Sequence, residues 1–367
     1  MPRVLVIGGR GHFGARVLET VRALELPGLE VTAASRRAAY RVDLADPESF
    51  PVMLSFDVIV NCADTVRAPP DAAARYCLER GLIFMDMGAD AVTVERLLAL
   101  RLPQEQTSSS PARGVVIVGV GVFPGLSTAL AAQACALAER PEGVTLGVRL
   151  SPLSGAGPGN CALMVHMLQL PSVRFEGGRR VEGSAVGAAL TLPYAGVGPR
   201  VSNLVGLPDA ALIHRATGAL AVQTAMALNP GVFRFSFRAI AWMLAIAGPL
   251  RGLLLALTRW SLFLLRGVLL RRVESRVQLT ASARAREQGE GEEVTLMLDV
   301  ADGREGAALG VAAVVSCCLE RQLIEPGVYA VPELFELDAL IAATRGLGTS
   351  PLTVTRAGQS ARGIAAT

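Results

Sequence analysis

The stretch that most limits what this chain can fold into is residues 2–14. Here a short apolar strand, Val4 to Ile7, runs directly into Gly9-x-Gly11-x-x-Gly14 and then into an amphipathic helix carrying Ala15, Val17, Leu18 and Val21. In such a strand–turn–helix unit Gly9 permits the tight bend, Gly11 lets the backbone approach a pyrophosphate, and Gly14 lets the helix pack closely on the strand. The helix N-terminus then directs unpaired N–H groups and the positive end of its dipole at phosphate. Arg10, His12 and Phe13 share the loop and complete the candidate phosphate site. With 38 glycines in 367 residues, this spacing arises by chance about 0.4 times per chain, so context decides. The strand before, the helix after and the place at the start of the chain agree on a dinucleotide site. The competing reading is a plain glycine-rich turn in a cofactor-free α/β domain.

The second strand bears on which dinucleotide. Leu29 to Ala34 reads as that strand, and about 20 residues past the glycines, where NAD enzymes place an acidic residue on the ribose 2′-hydroxyl, the chain has Ser35-Arg36-Arg37. A hydroxyl followed by two guanidiniums suits a 2′-phosphate, because Arg offers forked donors to phosphate oxygens and stacks on a purine face. The expected cofactor is therefore NADP(H) rather than NAD(H), against the plainer reading of a solvated strand end. Asp43, just past this strand, is placed to reach the adenine or its ribose.

Composition closes off other chemistries. All 35 basic residues are arginine, which rules out a Tyr-x-x-x-Lys dehydrogenase site, a Schiff-base lysine, a P-loop lysine and a lysine general base. The three histidines, His12, His166 and His214, are too few and too scattered for a histidine-built zinc site, and no metal is expected. The six cysteines show no metal spacing and no paired framework, which points to reduced thiols in a cytoplasmic protein, and no secretory leader is expected. A net charge of +3 is too small to argue for nucleic acid. The length and the 51% hydrophobic content fit two or three folded domains.

The first domain continues as alternating strands and helices. Phe56 to Ala63 is an apolar strand ending in Asn61, Cys62 and Ala63, a helix runs from Ala72 to Arg80, Leu82 to Gly88 is a strand containing Asp86, and a helix lies near Val94 to Leu102. This rhythm implies a doubly wound, mostly parallel sheet with ligands at the carboxyl ends of its strands. Asn61, Cys62, Ala63 and Asp86 stand at such ends. Gln104 to Gly114 reads as a loop, followed by the strand Val115 to Gly119.

At this point the chain resembles the saccharopine dehydrogenase-like and saccharopine reductase-like oxidoreductases. The resemblance rests on the Gly9-x-Gly11-x-x-Gly14 start with Ser35-Arg36, on Asp57 to Ala63, on Cys77-x-x-x-Gly81 through Phe84-Met85-Asp86, and on Gly121-Val-Phe-Pro124-Gly125-Leu126-Ser127. Glu325-Pro326-Gly327-Val328 followed by Pro332-Glu333 is similar to that family's closing run. Residues 1–130 and 305–348 carry the likeness. It implies a Rossmann domain over 1–128, a second α/β (α+β) domain over 129–304 with the substrate side and a homodimer contact, a segment 305–348 whose helix returns to the first domain, and a tail, 349–367. The family's lysine-forming branch uses a Lys–His pair that this lysine-free chain does not supply, and Phe84 stands where the family's matching stretch has Tyr.

The middle of the chain supports a sheet-based second domain: Val144 to Leu150 reads as a strand, and residues 275–285 and 293–300 alternate polar with apolar around a polar connection at 286–292. Gly306 to Arg321 reads as an apolar helix packed between domains. Residues 239–270 form an apolar run broken by Gly248-Pro249 and carrying Arg251, Arg259 and Arg266. At about 100° per residue the arginines and Thr258 fall within an arc of roughly 100°, leaving a broad Leu/Phe/Trp face. Three readings stand: a lid or dimer surface buried by protein, which is favoured, peripheral membrane contact, and a true span, which each arginine near a bilayer centre would oppose by about 2.5–3.5 kcal/mol.

For the chemistry, hydride transfer belongs to the nicotinamide and the protein supplies orientation and one proton. The candidate catalytic residues are Asp86, His166 and Tyr194, each with an ordinary structural reading beside it, and Cys62 reads as a small residue lining the cofactor. The expected activity is reduction or oxidation of a C=N, C=O or activated C=C bond in a small, rather apolar molecule. The alternative is a catalytically silent dinucleotide-binding protein that acts at a membrane surface or as a scaffold.

Overall fold

The computed structural model describes residues 1–100, 114–139, 141–151, 158–268, 275–285, 293–321, 324–348 and 351–357. They form two compact units: Met1–Leu126 with Gly155–Met164 and Asp302–Pro351, and Ser127–Ser154 with Val165–Ala301 and Leu352–Thr367.

The first unit begins β1 (Arg3–Ile7), α1 (His12–Arg22), β2 (Glu30–Ser35), β3 (Tyr40–Arg41), β4 (Val58–Asn61), α2 (Asp71–Arg80), β5 (Ile83–Asp86), α3 (Ala91–Leu98) and β6 (Val115–Val118). β1, β4 and β6 are short Val/Ile/Leu runs buried along nearly their whole length, as a parallel sheet covered on both faces requires. Helix α3 stops at Leu98, short of the expected Leu102, with Ala99 as its C-cap. The loop expected at 104–114 lies outside the described residues apart from Gly114.

The second unit contains α4 (Leu126–Leu137), β7 (Pro141–Leu150), α5 (Pro158–Met167), β8 (Ser172–Glu176), β9 (Arg179–Gly183), β10 (Val186–Tyr194), β11 (Gly198–Val205), α6 (Asp209–Thr217), β12 (Ala221–Leu228), α7 (Phe233–Ile246), α8 (Arg251–Val268), β13 (Val277–Ala285) and β14 (Glu293–Val300), although the unit boundary passes through α4 and α5. Its nine-stranded sheet is mixed: β12 and β7 are parallel, while β7, β13 and β14 run antiparallel in turn. The connection expected at 286–292 lies outside the described residues.

The chain then returns through α9 (Gly303–Glu320), β15 (Gly327–Ala330), α10 (Val331–Leu334) and α11 (Leu337–Ala343). β15 pairs in parallel with β6 and completes a seven-stranded sheet in the order β15-β6-β5-β4-β1-β2-β3, every neighbouring pair parallel. Helix α9 is buried along most of its length because its Ala, Gly and Val residues allow close approach: a Cβ at Gly310 would sit 2.6 Å from the Gly121 carbonyl oxygen. Arg16 of α1 reaches Glu305 of α9 at 3.3 Å.

Within the 349–367 tail, β16 (Thr353–Arg356) pairs antiparallel with β14 and extends the second sheet. The apolar run 239–270 is divided at Gly248-Pro249, as its sequence implies: α7 ends at Ile246, Gly248 adopts φ +49°, and α8 restarts at Arg251. Glycine accepts that backbone without a Cβ penalty, and Pro249 has no N–H to continue the α7 hydrogen-bond ladder. Among the described residues no helix is long and apolar enough to cross a membrane.

Candidate dinucleotide site

In the first sheet the strand order reverses direction between β1 and β4, the point at which open α/β sheets leave a crevice for a ligand. The glycine turn after β1 and the Asn61–Ala63 segment after β4 both lie there. Gly8, which sequence reading passed over, makes the bend: its φ is +74°, its amide donates to Ala34 O at 2.9 Å, and an added Cβ would lie 3.1 Å from the backbone of Cys62 and Ala63. The Gly8-Gly9 pair was the available signal. Gly9 serves packing instead, for its Cβ would meet that of Ala33 at 2.9 Å, and a Cβ at Gly14 would overlap the Gly8 carbonyl oxygen.

Gly11 differs from both. It is exposed, and a Cβ there would meet only the Gly8 carbonyl oxygen, at 3.0 Å. It is also the N-cap of α1, with no side-chain cap and no acidic residue in the first turn. With no acidic residue of its own in the first turn, this helix start fits an anion such as a pyrophosphate. His12 and Phe13 follow as the first two helical residues, with their rings edge to face at 5.3 Å. Arg10 is exposed beside them.

At the end of β2 the Ser35 hydroxyl accepts from the Arg37 amide at 3.3 Å. Arg36 and Arg37 are exposed, and among the described residues neither guanidinium has an ion-pair partner, whereas Arg41 is held by Asp46 at 3.0 Å. Asp43 spends one carboxylate oxygen on the Ala45 amide at 3.2 Å, closing the turn after β3.

Asn61 and Asp86 are register partners at the ends of β4 and β5, and both are fully buried. Asn61 Nδ2 donates to Asp86 Oδ1 at 2.7 Å, and the Gly88 amide donates to Oδ2 at 3.0 Å. Asn61 Oδ1 accepts from the Ala63 amide at 3.2 Å. With both oxygens engaged and no exposed surface, Asp86 braces the two loops that frame the crevice. Burial pushes its carboxyl up from 3.8 to about 6, against the opposing hydrogen bonds from Asn61 and Gly88. Burial, followed by the charge of Asp86, also pushes the Cys62 thiol well above its ordinary range, so it stays protonated.

The other two catalytic candidates lie in the second unit. Tyr194 is 2% exposed, packed with Leu192, Leu204, Ala225 and Ala227, and its hydroxyl shares a 2.9 Å hydrogen bond with Ser202. Burial pushes its pKa up to about 12. His166 is half-buried in the last turn of α5. Sequence reading missed a buried pair: the Ser127 hydroxyl of α4 donates to Asp209 Oδ1 in the first turn of α6, while Oδ2 of Asp209 has no partner among the described residues.

Asp209 has a testable consequence. Burial raises its carboxyl from 3.8 to about 6, so between those values the folded state binds more protons than the unfolded chain. Its contribution to stability is therefore greatest at low pH and is lost as pH rises toward 6, a change of about 3 kcal/mol. Denaturant titrations of wild type and Asp209→Asn across this range should show the variant gaining on wild type as pH increases. A difference that stays constant with pH would refute the raised carboxyl.

These features define a class: a Rossmann-like parallel-sheet domain with a glycine turn at its switch point, joined in one chain to a mixed-sheet domain. No family model and no curated protein matches the sequence. Among solved structures, histidine-tagged apo saccharopine dehydrogenase (L-Glu forming) from Saccharomyces cerevisiae aligns with a TM-score of 0.59 at 13% identity, covering 97% of this chain and 100% of that one. The DAP dehydrogenase of C. glutamicum in complex with DAP aligns at 0.47 and 14% identity, covering 94% and 99%. The chain thus has the saccharopine dehydrogenase-like fold.

Proposed function

We propose that this protein is an NADP(H)-dependent oxidoreductase that transfers hydride to or from a C=N, C=O or activated C=C bond of a small, rather apolar molecule. The observation that carries the proposal is the start of α1: an exposed Gly11 as N-cap, no acidic residue in the first turn, and two exposed arginines at the end of the neighbouring β2 that have no ion-pair partner among the described residues. Gly11, His12 and Phe13 would hold the pyrophosphate, Ser35, Arg36 and Arg37 the 2′-phosphate, and Cys62 and Ala63 would line the crevice beside Gly8. The nicotinamide, when bound, supplies the hydride chemistry. Asp86 and Asn61 act by positioning the crevice loops, which leaves proton delivery to another group, for which the half-buried His166 is the candidate. The likeness of fold to a dehydrogenase is consistent with this reading.

Calorimetric titration with NADPH and NADH provides the test. The reading expects micromolar NADPH binding, at least about tenfold tighter than NADH, as one additional charge-assisted contact would give. Equal affinities would remove the 2′-phosphate assignment, and binding of neither would remove the dinucleotide site.

A further inference from the structure

Helices α7 and α8 leave an apolar surface uncovered. In α8, Leu253, Leu257 and Trp260 share one exposed face, while Thr258 and Leu262 on the opposite side are buried, Leu262 with Val165. In α7, Phe235, Trp242 and Ile246 are exposed, and Phe237 and Leu244 face inward. Among the described residues this Leu/Trp face stays exposed. Contiguous apolar surface on this scale marks a binding face.

Charge and aromatic content identify the occupant. Residues 231–272 contain seven arginines and no Asp or Glu, whereas the whole chain is only +3, so the rest of the protein is net negative. A second copy docking through this face would bring cationic helices against each other, which like-charge repulsion opposes. Arg234 and Arg238 lie at one edge of the exposed stripe of α7, and Arg259 lies between the exposed and buried faces of α8. Arginine at such a flank keeps its charge at a headgroup while its stem covers apolar surface. The chain has two tryptophans, and both are on this surface, 64% and 63% exposed. Tryptophan, with an apolar body and a polar N–H, favours the interface between lipid and water.

We propose that α7 and α8 form a docking surface that lays this protein on an anionic lipid bilayer, its apolar stripes entering the interface and its arginines meeting lipid phosphates. The break at Gly248-Pro249 and the absence of a spanning helix among the described residues mean that the helices lie on the bilayer. This surface belongs to the second unit, whereas the glycine turn belongs to the first.

Vesicle flotation of the full chain tests it. With vesicles of phosphatidylcholine and phosphatidylglycerol at low salt, the protein floats and its tryptophan emission shifts to the blue; with phosphatidylcholine alone it stays at the bottom. Replacing Arg234, Arg238, Arg251 and Arg259 with Gln lowers partitioning at least about a hundredfold. Replacing Trp242 and Trp260 with Ser also lowers it, with NADPH binding and the circular dichroism spectrum unchanged. No flotation with anionic vesicles, or equal flotation with both kinds, overturns the proposal. So does a lipid-free blue shift that grows with protein concentration alongside a dimer mass, which would assign the face to a second copy.

Discussion

Replacing Arg36 and Arg37 together with Ala is expected to weaken NADPH binding by ten- to a hundredfold or more and to leave NADH binding nearly unchanged. Each guanidinium on a 2′-phosphate makes charge-assisted bonds worth about 1.5–3 kcal/mol, and every 1.4 kcal/mol is about a factor of ten. Both side chains are exposed at the end of β2 and, among the described residues, lack ion-pair partners, so their removal breaks no salt bridge and the fold is not at risk. Binding isotherms for the two cofactors read the effect directly. Full NADPH affinity in the double variant would show that the pair is only a solvated strand end.

The glycines of the turn should separate binding from folding. Gly11→Val adds its branched side chain where the protein itself offers only the Gly8 carbonyl oxygen, a tight 3.0 Å from the Cβ, so the protein should fold with a modest loss of thermal stability, far smaller than that of the backbone overlap at Gly14. Because that space is where a pyrophosphate would approach the backbone, both NADPH and NADH should lose more than about a hundredfold in affinity. Gly14→Val is the contrasting case. Its Cβ overlaps the Gly8 carbonyl oxygen, which is backbone and cannot move aside without breaking the β1–α1 turn. The cost should exceed about 3 kcal/mol and appear as lost thermal stability, whatever the ligand. A Gly11→Val variant that binds both cofactors normally would show that nothing docks at this helix start.

Much of the first unit was legible because its signals are local. Val4 to Ile7, Phe56 to Ala63 and Val115 to Val118 are short apolar runs bounded by turn residues, and buried parallel strands are written that way. The glycine spacing located the turn, but it named the wrong residue for the bend. The left-handed backbone belongs to Gly8, whose neighbour in space is the end of β4, more than 50 positions away. The same limit applies to Asp86. Its place at a strand end could be read from the pattern, whereas the hydrogen bond from Asn61 that engages it depends on the β4–β5 register. The Ser127–Asp209 pair joins residues 82 positions apart and left no pattern to find.

By itself the sequence determined the strand–turn–helix start, the missing carboxylate after β2, the exclusion of lysine chemistry and the cationic, acid-free character of residues 231–272. These follow from residue identity at short spacing, where backbone preference and charge act directly. The tertiary structure decided which glycine bends, that Tyr194 is core, that Thr353–Arg356 is a strand of the second sheet and that the broad face of α7 and α8 points outward. An apolar stripe is equally satisfied by a neighbouring helix, a partner or a lipid surface. Which side of it the chain covers is set by packing between distant segments, and periodicity along one segment carries no record of that.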